Sequence, residues 1–119
     1  MTGNHDAALC GRLATDTFSL KAQASLSWTA GRLDRKARDF LRELPLLLRG
    51  EDFLCVHADP SAPSRYSYIL DPEAAAKALD SFEEQICFVG HSHVPELFVR
   101  GASGVTHRLE KQDFCLEEG

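Results

Sequence analysis

The stretch Gly90-His91-Ser92-His93 follows the apolar run Ile86-Cys87-Phe88-Val89 and runs on into Val94-Pro95. Imidazole is the commonest metal-binding side chain near neutral pH. Two of them at i and i+2, just past a strand end, would be carried on backbone whose direction a sheet fixes. Gly90 is expected to let the chain turn sharply and to let a ligand approach closely. The same grammar recurs earlier, where Phe53-Leu54-Cys55-Val56 ends at His57-Ala58-Asp59-Pro60. At the amino end, Asn4-His5-Asp6 sets an amide, an imidazole and a carboxylate in direct succession after Gly3. Such donors suit a first-row divalent ion. Each cluster alone is equally compatible with polar residues at strand ends or with a frayed terminus.

Apolar elements must position these groups. Phe53 to Val56 and Ile86 to Val89 show no alternation and are expected to be strands buried on both faces. From Phe18 to Leu44 the pattern is helical, with Leu20, Ala24 and Trp28 forming one apolar stripe. Gly31 interrupts it, Asp34 is an N-cap candidate for a second helix, and Pro45 stops that helix. Within it Ala37, Phe40, Leu41 and Leu44 recur at helical intervals, and Arg35, Lys36, Arg38 and Arg42 read as a solvated surface. Asp71-Pro72 marks the start of a third helix reaching about Phe82. The intervening loop, residues 58 to 70, is long enough to be functional. Its Arg65, Tyr66 and Tyr68 either line a cleft or pack the loop down. Further strands are expected over Glu96–Arg100, Val105–Leu109 and around Asp113–Leu116, with His107 as ordinary surface.

With 119 residues, 44% apolar and 26% charged, the chain has room for one domain or part of a larger one. A net charge of -5 without a Lys/Arg cluster argues against a nucleic-acid surface and against docking on anionic membranes. No apolar stretch is long enough to span a bilayer, and the chain opens on polar residues rather than on a signal peptide. Cys10, Cys55, Cys87 and Cys115 are scattered, without Cys-X-X-Cys spacing. Reduced thiols in a cytoplasmic protein are the plain expectation.

Taken in order, Gly3-Asn4-His5-Asp6, Val56-His57-Ala58-Asp59-Pro60 and Gly90-His91-Ser92-His93-Val94-Pro95 resemble the calcineurin-like metallophosphoesterase superfamily. Leu26-Ser27-Trp28-Thr29, Phe40-Leu41-Arg42-Glu43-Leu44-Pro45 and Asp52-Phe53-Leu54-Cys55-Val56-His57 are similar to its bacterial, phosphodiesterase-type branch, as is Asp rather than Glu at position 6. The resemblance implies an α/β fold, a partial β-sandwich flanked by helices (α/β/β/α). It implies hydrolysis of small phosphomonoesters or phosphodiesters at two divalent ions (Mn, Fe, Zn or similar), with a metal-activated hydroxide as nucleophile. Carried over by position, Asn4, His57 and His91 would bind one ion and His93 the other. His5 would stabilise the transition state or protonate the leaving oxygen, and Asp6 would orient its imidazole.

The family's Asp-X-His and Gly-Asp-X-X-Asp motifs have no counterpart among these residues. The resemblance therefore covers the carboxyl-terminal portion of a single domain, residues 1–119, with the amino-terminal half absent. An internal start codon in a longer reading frame is the expected origin. Unpaired strand edges and apolar surface should then be exposed. The alternative is a non-catalytic fragment that folds by pairing with a partner chain or with a second copy of itself.

Overall fold

The structure is a computed structural model, and it describes residues 1–110. The strand expected around 113–116 lies outside the described residues. A short helix α1 (Asn4–Leu9) is followed by α2 (Leu20–Ala30) and α3 (Arg35–Glu43), then strands β1 (Leu47–Arg49) and β2 (Phe53–Val56). After a 3-10 turn (Pro63–Arg65) come α4 (Pro72–Leu79), β3 (Ile86–Val89), β4 (Leu97–Arg100) and β5 (Thr106–Leu109). The strands form a three-stranded sheet in the order β1-β2-β3 and a separate β4-β5 hairpin.

Local chemistry starts and stops the helices. Ser19, Asp34 and Asp71 each accept a hydrogen bond from the backbone N–H three residues on, which satisfies a donor the first turn leaves free. Leu44 is extended (φ -61°, ψ 129°), as a residue before proline must be, and α3 ends there. Arg38 departs from the expected solvated face. Its guanidinium is half-buried and donates to the carbonyls of Ala30 and Leu33, closing the carboxyl end of α2.

β2 pairs antiparallel with β1 and parallel with β3, with Val56 opposite Val89. Two further bonds extend the parallel ladder beyond both strand ends, Ile86 N–H to the Asp52 carbonyl and Gly90 N–H to the His57 carbonyl, at 3.2 and 3.1 Å. The second ties the segment that follows β2 to the segment that follows β3. α4 connects these parallel strands and packs on the hairpin.

The expectation that β2 and β3 are covered on both faces is not met. Leu54 and Val56 are buried, but Phe53 and Phe88 lie on the opposite face in open, edge-to-face contact at 6.2 Å, and Phe88 is 57% exposed. Leu48 of β1 shares that face. No second layer covers it among the described residues; β2 is buried on one face only, and in β3 Val89 is 42% exposed on the other face as well. The stripe Leu20-Ala24-Trp28 is likewise exposed, with Leu20 at 84% and Trp28 at 60%; α2 buries Leu26 instead. The arginine at 32 lies 3.7 Å above the Trp28 ring and covers part of it.

What is buried is small. Ala7, Ala58 and Tyr66 cluster with Leu13, and Ala75 and Ala78 line the inner face of α4. The radius of gyration is 16.4 Å, against about 13 Å for a compact domain of this length.

Candidate metal centre

Three segments distant in sequence converge on His57. Its Nε2 lies 3.1 Å from Asn4 Oδ1 and 3.2 Å from His91 Nδ1. Ligands held 2.0–2.2 Å from one ion at ordinary coordination angles lie about 2.8–3.6 Å apart, so these separations fit a shared ion. Burial lowers the pKa of His57, and the neighbouring His91 lowers it further, against an opposing pull from Asp6. Burial also lowers that of His91, opposed by the Tyr66 backbone. Both rings therefore favour the neutral form that a metal requires.

Each donor is fixed by its own segment. Asn4 opens α1. The cap before it is a glycine, Gly3, whose N–H donates to Asp6 Oδ2 at 2.9 Å. The amino-terminal residues are held by Thr2, which is fully buried. Its N–H bonds the Pro45 carbonyl, its hydroxyl donates to the Leu44 carbonyl at 2.7 Å, and it accepts from Arg12 at 3.0 Å. His57 lies one residue past β2 and leans over Gly3, where a Cβ would come within 3.0 Å of its ring.

The turn at His91 is made differently from the sequence expectation. Gly90 has no left-handed backbone, and a Cβ there would meet only the His57 carbonyl at 3.6 Å, an ordinary contact. The left-handed residues are the histidines themselves, His91 at φ 65° and His93 at φ 57°. Ser92 N–H bonds the Gly90 carbonyl at 2.7 Å, so His91 is the centre of a γ-turn of the rare positive-φ form. Backbone of this kind in a non-glycine residue costs of order 1–3 kcal/mol and clusters at functional sites.

His5 and Asp6 do not form the pair that the resemblance implies. Asp6 is hydrogen-bonded to the Gly3 main chain, while His5 packs edge-on against Phe18 at 5.3 Å. Among the described residues no hydrogen bond joins them. His93 is exposed on the turn that follows β3 and is not among the groups meeting at His57.

No protein-family model and no curated protein matches the chain. Among solved structures, the crystal structure of a metallophosphoesterase from Sphaerobacter thermophilus is similar, with 33% identity and a TM-score of 0.70 over 93% of this chain. The chain carries part of a metallophosphoesterase fold. It spans 46% of that protein's length, about half. Of the two helix-flanked sheets that a metallophosphoesterase is expected to have, the described residues supply the β1-β2-β3 sheet and one hairpin.

Within this partial metallophosphoesterase fold, no three His, Cys, Asp or Glu side chains among the described residues are arranged to hold an ion. The trio around His57 takes its third member from an amide, and it holds no carboxylate. Sequence reasoning left Gly3 and Thr2 unassigned and Tyr66 and Tyr68 ambiguous. Tyr66 is buried and left-handed (φ 53°), its ring 5.9 Å from that of His57. Tyr68 stacks on His91 at 4.2 Å. A long loop with two tyrosines at i and i+2 was the available signal.

Proposed function

We propose that Asn4, His57 and His91 form one metal position of a two-metal phosphoesterase centre that hydrolyses small phosphomonoesters or phosphodiesters. The observation carrying this reading is the meeting of Asn4 Oδ1 and His91 Nδ1 at His57 Nε2, at 3.1 and 3.2 Å. Divalent ions at such a centre supply Lewis acidity to a phosphoryl group and make water nucleophilic near neutral pH. The residues present fit one position, with three neutral donors. Among the described residues His93 alone is assigned to a second. In this reading His5, exposed beside Asn4, holds or delivers a proton at the leaving oxygen. Asp6 serves it indirectly, by fixing the turn that carries Asn4 and His5.

The incomplete second position and the 46% coverage of the Sphaerobacter protein favour a longer functional unit. In that reading the carboxylate ligands come from further residues of the same domain or from another chain. The test is hydrolysis of an aryl phosphate by the complete reading frame, assayed with Mn2+ and after chelation. Activity should require the ion and vanish in His91→Ala; full activity of that variant would refute the assignment.

A second reading rests on the uncovered sheet face, where Leu48, Phe53 and Phe88 stand open beside strand edges. Here the chain is a non-catalytic piece that associates through this surface with a partner chain or with itself. Gel filtration with and without Mn2+ separates the two: a monomer that binds metal tightly counts against it.

A further inference from the structure

The loop between the 3-10 turn and α4 reaches back over His91. Tyr68 lies parallel to the His91 imidazole, with ring centroids 4.2 Å apart and planes 15° apart. Tyr66 stands 6.4 Å from the same imidazole. His91 needs such support. Its backbone sits in a rare γ-turn, its side chain is only half-buried, and its polar neighbour is a second neutral imidazole. A metal-binding histidine commonly has its free N–H held by a carbonyl or carboxylate, which fixes both tautomer and ring orientation.

We propose that Tyr68 is a positioning residue that clamps the His91 imidazole in its metal-binding orientation by a parallel ring stack. This rests on the metal reading of His57 and His91. The competing explanation is that Tyr68 merely packs the loop down. Against it, Tyr68 remains 56% exposed, so the ring buries little area where it lies. Its nearest aromatic partner is the candidate ligand, at a separation and tilt typical of stacked rings. Tyr66, by contrast, is 8% exposed and belongs to the core, so its side chain serves the fold. The decisive substitutions therefore fall on Tyr68.

The experiment titrates the 119-residue chain with Co2+ alone and follows the visible absorption of the bound ion, with thermal melting recorded alongside. Tyr68→Phe keeps a flat ring and should bind within about twofold of the parent. Tyr68→Leu keeps apolar bulk without a ring and should bind roughly 10–100-fold more weakly at an unchanged melting temperature, as loss of outer-shell orientation does. In the metal-free chain, His91 ring protons should resonate upfield in the parent and in Tyr68→Phe, and lose that shift in Tyr68→Leu. Tyr68→Leu binding Co2+ as tightly as the parent, while His91→Ala abolishes uptake, overturns the clamp alone. If the parent takes up no Co2+, or His91→Ala takes it up undiminished, the metal reading falls and the clamp with it.

Discussion

Gly3 and His57 are in contact so close that a Cβ on Gly3 would lie 3.0 Å from Cε1 and 3.1 Å from Nδ1 of the imidazole. Gly3 itself is extended (φ -91°, ψ 170°), a conformation any residue adopts, so the constraint is space and not backbone freedom. Gly3→Ala should displace the His57 ring by a few tenths of an ångström and weaken metal uptake about tenfold. The loss of stability should stay near 1 kcal/mol. Gly90→Ala meets only the His57 carbonyl at 3.6 Å and should leave both unchanged. Parallel metal titrations and urea melts of the two variants check this, and equal behaviour would contradict it.

His93 holds a left-handed backbone on an exposed turn, at φ 57°. Replacing it with glycine removes the steric conflict at the cost of a more flexible unfolded chain. His93→Gly should raise the unfolding free energy by about 0.5–1 kcal/mol. Chemical denaturation of the metal-free protein measures it. A destabilised variant would show that the His93 side chain makes contacts the turn depends on.

Cys87 lies within β3, and burial pushes its thiol up to about 11 from the usual 9.0, with Cys55, Glu84 and Asp59 adding to the effect. It should resist alkylation by iodoacetamide at pH 8 and react at the unfolded rate once the chain is denatured. The linkage has a definite sign. The folded state holds this proton more tightly, so the contribution is complete below pH 9.0 and is lost as pH rises towards 11. Mass-spectrometric mapping of modified cysteines, and melts across that range, test both statements.

Phe88 presents more than half its surface to solvent on the open sheet face. Phe88→Lys should cost no more than about 1 kcal/mol, the level of a surface substitution that loses some packing. It should also shift sedimentation towards the monomer, because an exposed apolar face beside strand edges unpaired among the described residues invites association. A loss above about 2 kcal/mol would mean that the face is covered in solution.

How much of this was legible depends on how local the cause is. Asp34 and Asp71 announce helices because a carboxylate cap reaches only three residues along the chain, at 2.7 and 2.8 Å from its donor. The strands at Phe53 and Ile86 were legible as apolar runs between turn residues. Which of their faces is buried was not, since that depends on a layer elsewhere. Leu20, Ala24 and Trp28 show the same limit: periodicity identifies a stripe but not what it faces. α1 escaped notice because six residues are too few for a period, and Gly3-Asn4 reads as a turn. The convergence of Asn4, His57 and His91 was available only through a family resemblance. The histidine-borne turn that carries His91, and the two tyrosines around it, needed coordinates, since histidine is no usual marker of left-handed backbone.

Asn4 and His57 are separated by 53 positions and His57 and His91 by 34, yet all three meet within hydrogen-bonding distance. Only long-range folding brings atoms so far apart in sequence together. An ion taken up there would therefore recognise only the folded molecule, and would stabilise it by mass action according to its free concentration. In a chain whose buried core is this small, that coupling would make metal supply a determinant of how long the protein persists, apart from any reaction it performs.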